Sequence, residues 1–117
     1  MVTICVDAMG GDEPVEVILA GITRALEADA DLHVLVAGNE DVVVPYCQQH
    51  AERTTPLVTT EVIQMDEHPA QAVRQKKDSS IVRGCKAVKD GQADAFFSAG
   101  STGAILTAAT LVVGRLR

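Results

Sequence analysis

Aromatic side chains are scarce in this sequence: they form 3% of its 117 residues, and tryptophan is absent. Any core must therefore consist largely of aliphatic residues, which dominate the 47% of the chain that is hydrophobic. Basic residues are also few: the sequence has ten Lys and Arg and sixteen Asp and Glu, which gives a net charge of -6. A chain this acidic lacks the basic surface that general nucleic-acid binding needs.

Signals for disulfides, secretion and membrane insertion are missing too. The three cysteines, Cys5, Cys47 and Cys85, include no C-x-x-C pair, so neither a zinc knuckle nor a disulfide framework is indicated. Reduced thiols in the cytoplasm are the simplest interpretation. The N-terminus has no basic region and no cleavage site that would indicate a signal peptide. The most apolar stretch, residues 103–114, is shorter than the about 20 residues that span a bilayer.

What the sequence does contain is an alternation of strand and helix patterns over the length of one domain. Apolar or β-branched runs predict strands at residues 2–6, 32–37, 57–65 and 93–97. Helical periodicity predicts helices at residues 14–28, 40–51, 69–77 and 102–115, and one more from a Ser79-Ser80 cap to Gly91. This alternation predicts an α/β fold with a largely parallel sheet and helices on both faces.

Two of these helices carry specific expectations. In the helix over 14–28, Pro14 suits the first turn and Asp12 is the expected cap. The helix over 102–115 is apolar nearly all round, which predicts that it is buried. The chain stops directly after it, so we expect either a piece of a larger protein or burial in a partner. The alternative is a complete small domain whose last helix packs between the sheet and the other helices.

Two glycine-rich turns each follow a predicted strand. The first is Asp7-Ala8-Met9-Gly10-Gly11-Asp12, and the second runs from Ser98 to Ala104. In open α/β sheets ligands bind at this edge, because helix N-termini present unpaired N–H groups there. Glycines also let a phosphate approach the backbone closely. The first turn has neither the G-x-G-x-x-G spacing of a dinucleotide site nor the lysine of a P-loop.

Each turn has two interpretations. In the first, Asp7 and Asp12 orient a substrate group or hold a lysine, or else Gly10 and Gly11 simply turn the chain. In the second, the hydroxyls of Ser101 and Thr102 and the flanking glycines bind an anion, or else one hydroxyl caps the helix.

A third candidate segment combines positive charge with a helix start. Six of the ten basic residues fall within sixteen positions, namely Arg74, Lys76, Lys77, Arg83, Lys86 and Lys89. Beside the Ser79-Ser80 cap, these cations suit an anion, although a solvated helix face is the alternative. No Ser/His/Asp set or Cys/His pair is indicated, so an enzyme of this sequence would position reactants rather than form a covalent intermediate.

At these same three places the chain resembles the PlsX family, the acyl-ACP:phosphate acyltransferases of bacterial phospholipid synthesis. Residues 7–12 are similar to its opening signature, and residues 93–104 resemble a third motif. The middle motif is carried by Met65, Asp66, Pro69, Ala72, Arg74, Lys76, Lys77, Asp78, Ser79 and Ser80. The family commonly has Asn where this chain has Ser101, and a hydroxyl offers one donor instead of an amide's two.

The resemblance implies that residues 1–117 are the N-terminal part of a single α/β acyltransferase domain. It implies a three-layer α/β/α fold like that of isopropylmalate-type dehydrogenases, a homodimer, and a cytoplasmic location with peripheral membrane association. It implies transfer of a fatty acyl group from acyl carrier protein to inorganic phosphate, with no metal or nucleotide cofactor.

The implied roles fall in three groups. Phosphate would bind at Gly100, Ser101, Thr102 and Gly103. Asp7, Asp12 and Lys76 would be catalytic, the two aspartates by orienting neighbouring groups. Substrate or carrier-protein contacts would come from Gly10, Gly11, Arg74, Lys77, Ser79 and Ser80.

Two other functions stay open at this point. One is an isopropylmalate-type NAD-dependent oxidoreductase, which would share the fold but should show an arginine cluster and metal-binding aspartates. The other is a truncated domain that binds carrier protein without catalysis. We expect the 117-residue chain alone to be inactive, because a site at the edge of such a sheet draws on loops from both halves of the fold.

Overall fold

The computed structural model describes residues 2–10, 14–64, 66–100 and 102–113. Strands and helices alternate as the sequence predicts. In chain order they are β1 (Val2–Asp7), α1 (Val15–Ala28), β2 (Leu32–Gly38), α2 (Glu40–Gln49), β3 (Thr54–Val58), α3 (Pro69–Gln75), α4 (Ser80–Lys89), β4 (Ala95–Phe97) and α5 (Thr102–Ala108). A π-helical turn over Ala109–Val113 continues α5 directly.

The four strands form one parallel sheet in the order β3-β2-β1-β4. From β1 the chain moves outward through β2 to β3, and then returns to place β4 on the other side of β1. The direction of strand order therefore switches between β1 and β4. In open α/β sheets the crevice at such a switch point, outside the carboxyl ends of the strands, is where ligands bind.

Helices cover both faces of the sheet, as the predicted three-layer α/β/α architecture requires. On one face, Val6, Val34 and Val36 pack against α1 and α2 in one buried cluster. On the other face, Cys5 and Leu35 pack with residues of α4 and of the turn after it. A third cluster joins α4 to α3 and α5 through residues such as Val73, Ile81, Cys85, Ala104 and Ala108.

The predicted boundaries of β3 are wrong. The strand covers Thr54–Val58 rather than residues 57–65, and its Pro56 is tolerated because β3 is an edge strand whose outer N–H groups need no partner. After Val58 the chain leaves the sheet: the Thr60 amide donates to the Asp78 carbonyl, and Glu61 forms a β-bridge with Ser79. The β-branched run that predicted a longer strand instead supports the start of α4.

Other boundaries differ by a few residues. Pro14 occupies the N-cap position of α1 rather than its first turn, and makes no side-chain capping bond; Asp12 lies outside the described residues. Two helices end earlier than predicted, α2 at Gln49 and α3 at Gln75, and β4 begins at Ala95 because the Ala93 amide bonds back to the end of α4.

The predicted cap of α4 is confirmed. The Ser79 hydroxyl accepts a hydrogen bond from the Val82 amide at 3.2 Å. At the other end, Gly91 follows the helix with a φ of 80°, a left-handed conformation that glycine adopts without steric cost.

The last helix is only half buried. Ala104 and Ala108 are enclosed against α3 and α4, but Leu106 is 68% exposed and Leu111 and Val113 are exposed as well. Predicted burial is thus confirmed for the inner face of this helix. No other described element covers its outward face, whose burial stays a prediction. Within the described residues, every helix falls short of the length and apolar character needed to cross a membrane.

Candidate functional site

The two glycine-rich turns meet at the switch point between β1 and β4. Gly10 of the first turn lies so close to the second that an added Cβ would be 2.9 Å from Ser98 Oγ and 3.0 Å from the Gly100 nitrogen. Gly100 is less tightly packed: its own added Cβ would be 3.1 Å from Ser98 Oγ and in ordinary contact, at 3.5 Å, with the Gly10 Cα. The absence of side chains at these two glycines is what allows the backbones to touch.

A short chain of hydrogen bonds joins the turns through a buried carboxylate. Asp7 is 2% exposed. Its Oδ1 accepts from the Met9 amide at 2.9 Å, and its Oδ2 accepts from the Ser98 hydroxyl at 2.8 Å. Ser98 Oγ in turn accepts from the Gly100 amide at 3.0 Å. Asp7 thus orients a backbone amide of the first turn and a hydroxyl of the second, and its predicted role toward a substrate group stays a prediction.

The cysteine two residues before this carboxylate, Cys5, is fully buried. Burial, together with the nearby Asp7 and Cys85, raises the pKa of Cys5 to about 12. Burial also raises the pKa of Cys47 and that of Cys85, and all three thiols are free and buried. Because the thiolate is the nucleophilic form, none of these cysteines is set up for covalent catalysis at neutral pH.

The middle segment also packs against the second turn. An added Cβ on Gly103 would lie 2.6 Å from Pro69 Cγ, so the first residue of α3 rests on the start of α5. Ser79 and Ser80, at the start of α4, are almost fully buried. The Ser79 hydroxyl caps α4 by accepting a hydrogen bond from the Val82 amide. The Ser79 hydroxyl therefore supports the start of α4, and Ser80 is buried in the first turn of that helix.

The cations of this segment divide into paired and unpaired groups. Lys76 Nζ donates to Glu67 Oε1 at 2.5 Å and to the Val62 carbonyl at 2.9 Å, which ties the segment before α3 to the end of that helix. The bond from Lys76 lowers the pKa of Glu67. By contrast, Arg74 and Lys77 are exposed and form no ion pair within the described parts of the chain.

A second ion pair holds the start of α4. Arg83 Nη1 lies 2.5 Å from Asp78 Oδ1, while the Thr60 hydroxyl donates to Asp78 Oδ2 at 2.6 Å. The Thr60 hydroxyl, followed by Arg83, lowers the pKa of Asp78. These bonds link the segment after β3 to the α4 cap.

The structure brings together some of the predicted site residues and leaves others undescribed. Asp7, Gly10 and Gly100 form one contact group, and Gly103 lies beside Pro69. The Gly100 amide is already donated to Ser98, so it is not available to an anion in this arrangement. Four other predicted site groups lie outside the described residues: Gly11, Asp12, Ser101 and the Thr102 side chain.

Sequence reasoning gave no role to two polar residues at this edge. Ser98 lies in the second turn directly after β4, and this position at the carboxyl end of a strand is the one sequence signal that could have marked it as a site residue. Thr59, just beyond β3, is 1% exposed and its hydroxyl has no hydrogen-bond partner in the described structure. Nothing in the run of β-branched residues around Thr59 distinguished it from a strand residue.

Comparison with known proteins gives a consistent set of similarities. The family model described as "Fatty acid synthesis protein" matches residues 2–117. The phosphate acyltransferase of Limosilactobacillus reuteri (strain DSM 20016) is 51% identical over 114 residues, which cover 97% of this chain and 33% of that protein. The phosphate acyltransferase of Streptococcus uberis (strain ATCC BAA-854 / 0140J) is 44% identical over 117 residues, covering 100% of this chain and 35% of that protein.

The chain thus spans about a third of the length of the curated relatives it matches. The family match, in contrast, runs over nearly the whole chain and includes both glycine-rich turns and the middle segment. The chain therefore belongs to the fatty acid synthesis protein family, the PlsX family that its three motifs resemble.

Proposed function

We propose that the protein transfers a fatty acyl group from acyl carrier protein to inorganic phosphate and so forms acyl phosphate. The observation that carries this proposal is the contact of two glycine-rich turns across the β1–β4 switch point in a chain of this family. That crevice is where an α/β sheet binds its ligand, and glycines there leave room for an anion against the backbone.

The proposed reaction suits a site without an activated side-chain nucleophile. An oxygen of hydrogen phosphate attacks the thioester carbonyl carbon, a C–O bond forms and the C–S bond breaks. The proton of hydrogen phosphate passes to the departing sulfur, so that the carrier leaves as a thiol. The protein must hold phosphate against the thioester and stabilise the tetrahedral oxyanion. The buried cysteines, whose thiols resist ionisation, fit a reaction in which phosphate itself is the nucleophile.

We assign phosphate to the second turn, at Gly100, Ser101, Thr102 and Gly103. Gly100 contributes by its small size, because its amide is donated to Ser98. The hydroxyls of Ser101 and Thr102 and the Gly103 amide are then the proposed donors to the anion. Asp7 orients the turn through Ser98, and Asp12 and Gly11 keep the catalytic and substrate-contact roles that the family resemblance implies.

The cations of the middle segment are assigned to two different tasks. Arg74 and Lys77, exposed and unpaired in the described structure, suit the acidic surface of a carrier protein. Lys76 holds Glu67 and the Val62 carbonyl, so it can add charge at phosphate only by exchanging its bond to Glu67. The homodimer and the peripheral membrane association that the family resemblance implies also belong to this proposal.

Two measurements test the proposal on the protein expressed from its own gene. The first is phosphate-dependent formation of acyl phosphate from an acyl-carrier thioester, trapped with hydroxylamine. The second is thermal stabilisation by phosphate compared with NAD, which separates the acyltransferase from an isopropylmalate-type oxidoreductase. We expect acyl phosphate to form when phosphate is added to the thioester, and we expect thermal stabilisation by phosphate but not by NAD. Stabilisation by NAD without acyl phosphate formation would contradict the proposal.

A double variant tests where phosphate binds. Ser101→Ala combined with Thr102→Ala removes two proposed donors and should weaken phosphate binding by about tenfold or more, since hydrogen bonds to charged groups are among the stronger ones. Unchanged phosphate affinity would remove the second turn from the proposed site while leaving the reaction itself open to test.

A further inference from the structure

We propose that Ser98 is a positioning residue that transmits the orientation of Asp7 to the phosphate-binding turn, an inference that rests on the proposed function. Ser98 lies between the two elements it would couple: it follows β4 directly and contacts a carboxylate at the end of β1. The bonded side chains are separated by 91 positions in the sequence. No other described hydrogen bond joins these two turns.

The polarity of the hydrogen bonds gives Ser98 this role. A serine hydroxyl has one proton to donate and lone pairs with which to accept. The Asp7 carboxylate can only accept, so the Ser98 proton is directed to Asp7 Oδ2. The lone pairs of Oγ are left to face the Gly100 amide, which donates to them. Asp7 thereby fixes the direction of the peptide group that begins the proposed phosphate turn.

The surroundings make this arrangement rigid. Asp7 is held from its other oxygen by the Met9 amide, so the carboxylate cannot rotate freely. Gly10 packs closely against both bonded side chains, since an added Cβ would lie 2.5 Å from Asp7 Oδ2 and 2.9 Å from Ser98 Oγ. The Gly100 backbone is therefore defined before phosphate arrives, which is how a site reduces the ordering cost of binding an anion.

Loss of the Ser98 hydroxyl has two consequences for an anion. The Gly100 amide loses its acceptor, and the turn is released from its fixed orientation. Asp7 loses its hydroxyl donor, which leaves a buried negative charge less well compensated behind the place where a phosphate dianion would sit. Both effects weaken phosphate binding, whereas the binding of the acyl thioester does not depend on them.

Ser98→Ala, Ser98→Thr and Thr54→Val form the test set in the protein expressed from its own gene. Ser98→Thr keeps the hydroxyl. Thr54→Val is the matched control, because it removes a hydroxyl-to-backbone bond of 2.7 Å to His50 at the opposite, amino-terminal end of the sheet. The readouts are the dissociation constant for inorganic phosphate and the separate KM values for phosphate and the acyl thioester.

We expect Ser98→Ala to raise the phosphate dissociation constant and the phosphate KM by about tenfold or more, with the thioester KM within about threefold of wild type. Ser98→Thr should keep the phosphate dissociation constant within about threefold of the wild-type value. Thr54→Val should lower thermal stability but leave the phosphate dissociation constant unchanged. Equal phosphate affinity in wild type and Ser98→Ala would overturn the inference and leave the proposed function standing. Failure of the wild type to bind phosphate would overturn both.

A measurement on the wild type covers the case in which Ser98→Ala does not fold. The Gly100 amide should exchange its hydrogen with solvent at least about tenfold more slowly than an unstructured glycine, both with and without phosphate. Protection in Ser98→Thr should match the wild type. Free exchange of the Gly100 amide in the folded wild type would overturn the inference.

Discussion

Replacement of Gly10 by alanine tests the contact on which the candidate site depends. The new Cβ would lie 2.5 Å from Asp7 Oδ2 and 2.9 Å from Ser98 Oγ, closer than real carbon atoms approach such neighbours. The Asp7–Ser98 bond and the two turns must then move apart, and overpacking of this kind costs about 1–3 kcal/mol. Of the described glycines only Gly91 has a positive φ, so alanine also gains about 0.4–1 kcal/mol from the less flexible unfolded chain.

The net expectation for Gly10→Ala is a loss of about 1–2 kcal/mol in the free energy of unfolding. Urea denaturation followed by circular dichroism measures it. Gly21→Ala is the matched control, because Gly21 lies in α1 with nothing within 4 Å of an added Cβ. That control should gain about 0.5–1 kcal/mol from helix propensity. A Gly10→Ala protein as stable as Gly21→Ala would refute the tight contact between the turns.

Three further predictions concern other polar groups. Thr59→Val should stabilise the fold by about 1 kcal/mol in urea denaturation, because the Thr59 hydroxyl is buried without a partner; a loss of stability would mean that this hydroxyl is bonded. Cys5 should resist a thiol reagent at neutral pH until the protein unfolds, since its pKa is raised to about 12, and labelling of native Cys5 would contradict its burial. Because the pKa of Asp78 is lowered in the fold, its contribution to stability is present above its unfolded pKa and is lost as pH falls through the folded value. Asp78→Asn should therefore flatten the acid limb of a stability-against-pH curve, and an unchanged limb would contradict the Thr60 and Arg83 bonds.

Local signals in the sequence were sufficient for the elements that local chemistry determines. The strand before Asp7, the stripe of α1, the Ser79 cap and the Gly91 stop each follow from periodicity or from a residue with a defined backbone preference. The positions of the two turns followed from the strands that precede them. Because β1 and β4 are parallel, their carboxyl ends lie at the same edge of the sheet, and the two turns therefore lie there together.

What could not be predicted depends on pairing between distant segments. β3 starts at Thr54 because that residue pairs beside Val34, and its β-branched continuation leaves the sheet to meet the α4 cap. The Lys76–Glu67 pair and the Ser98–Asp7 bond likewise join residues whose sequence spacing carries no recognisable period. For this reason the bond of Lys76 to Glu67 and the bond of Ser98 to Asp7 could be found only in the structure.

In the proposed reaction, phosphate is held where the two glycine-rich turns meet and attacks the thioester without an acyl-enzyme intermediate. A single-turnover reaction of the protein expressed from its own gene with an acyl-carrier thioester distinguishes these two routes, with mass spectrometry of the intact protein and thiol release as the readouts. We expect thiol release only when phosphate is present, with the acyl group on phosphate and none on the protein. Thiol release without phosphate, or an acylated protein, would show that phosphate is not the attacking group.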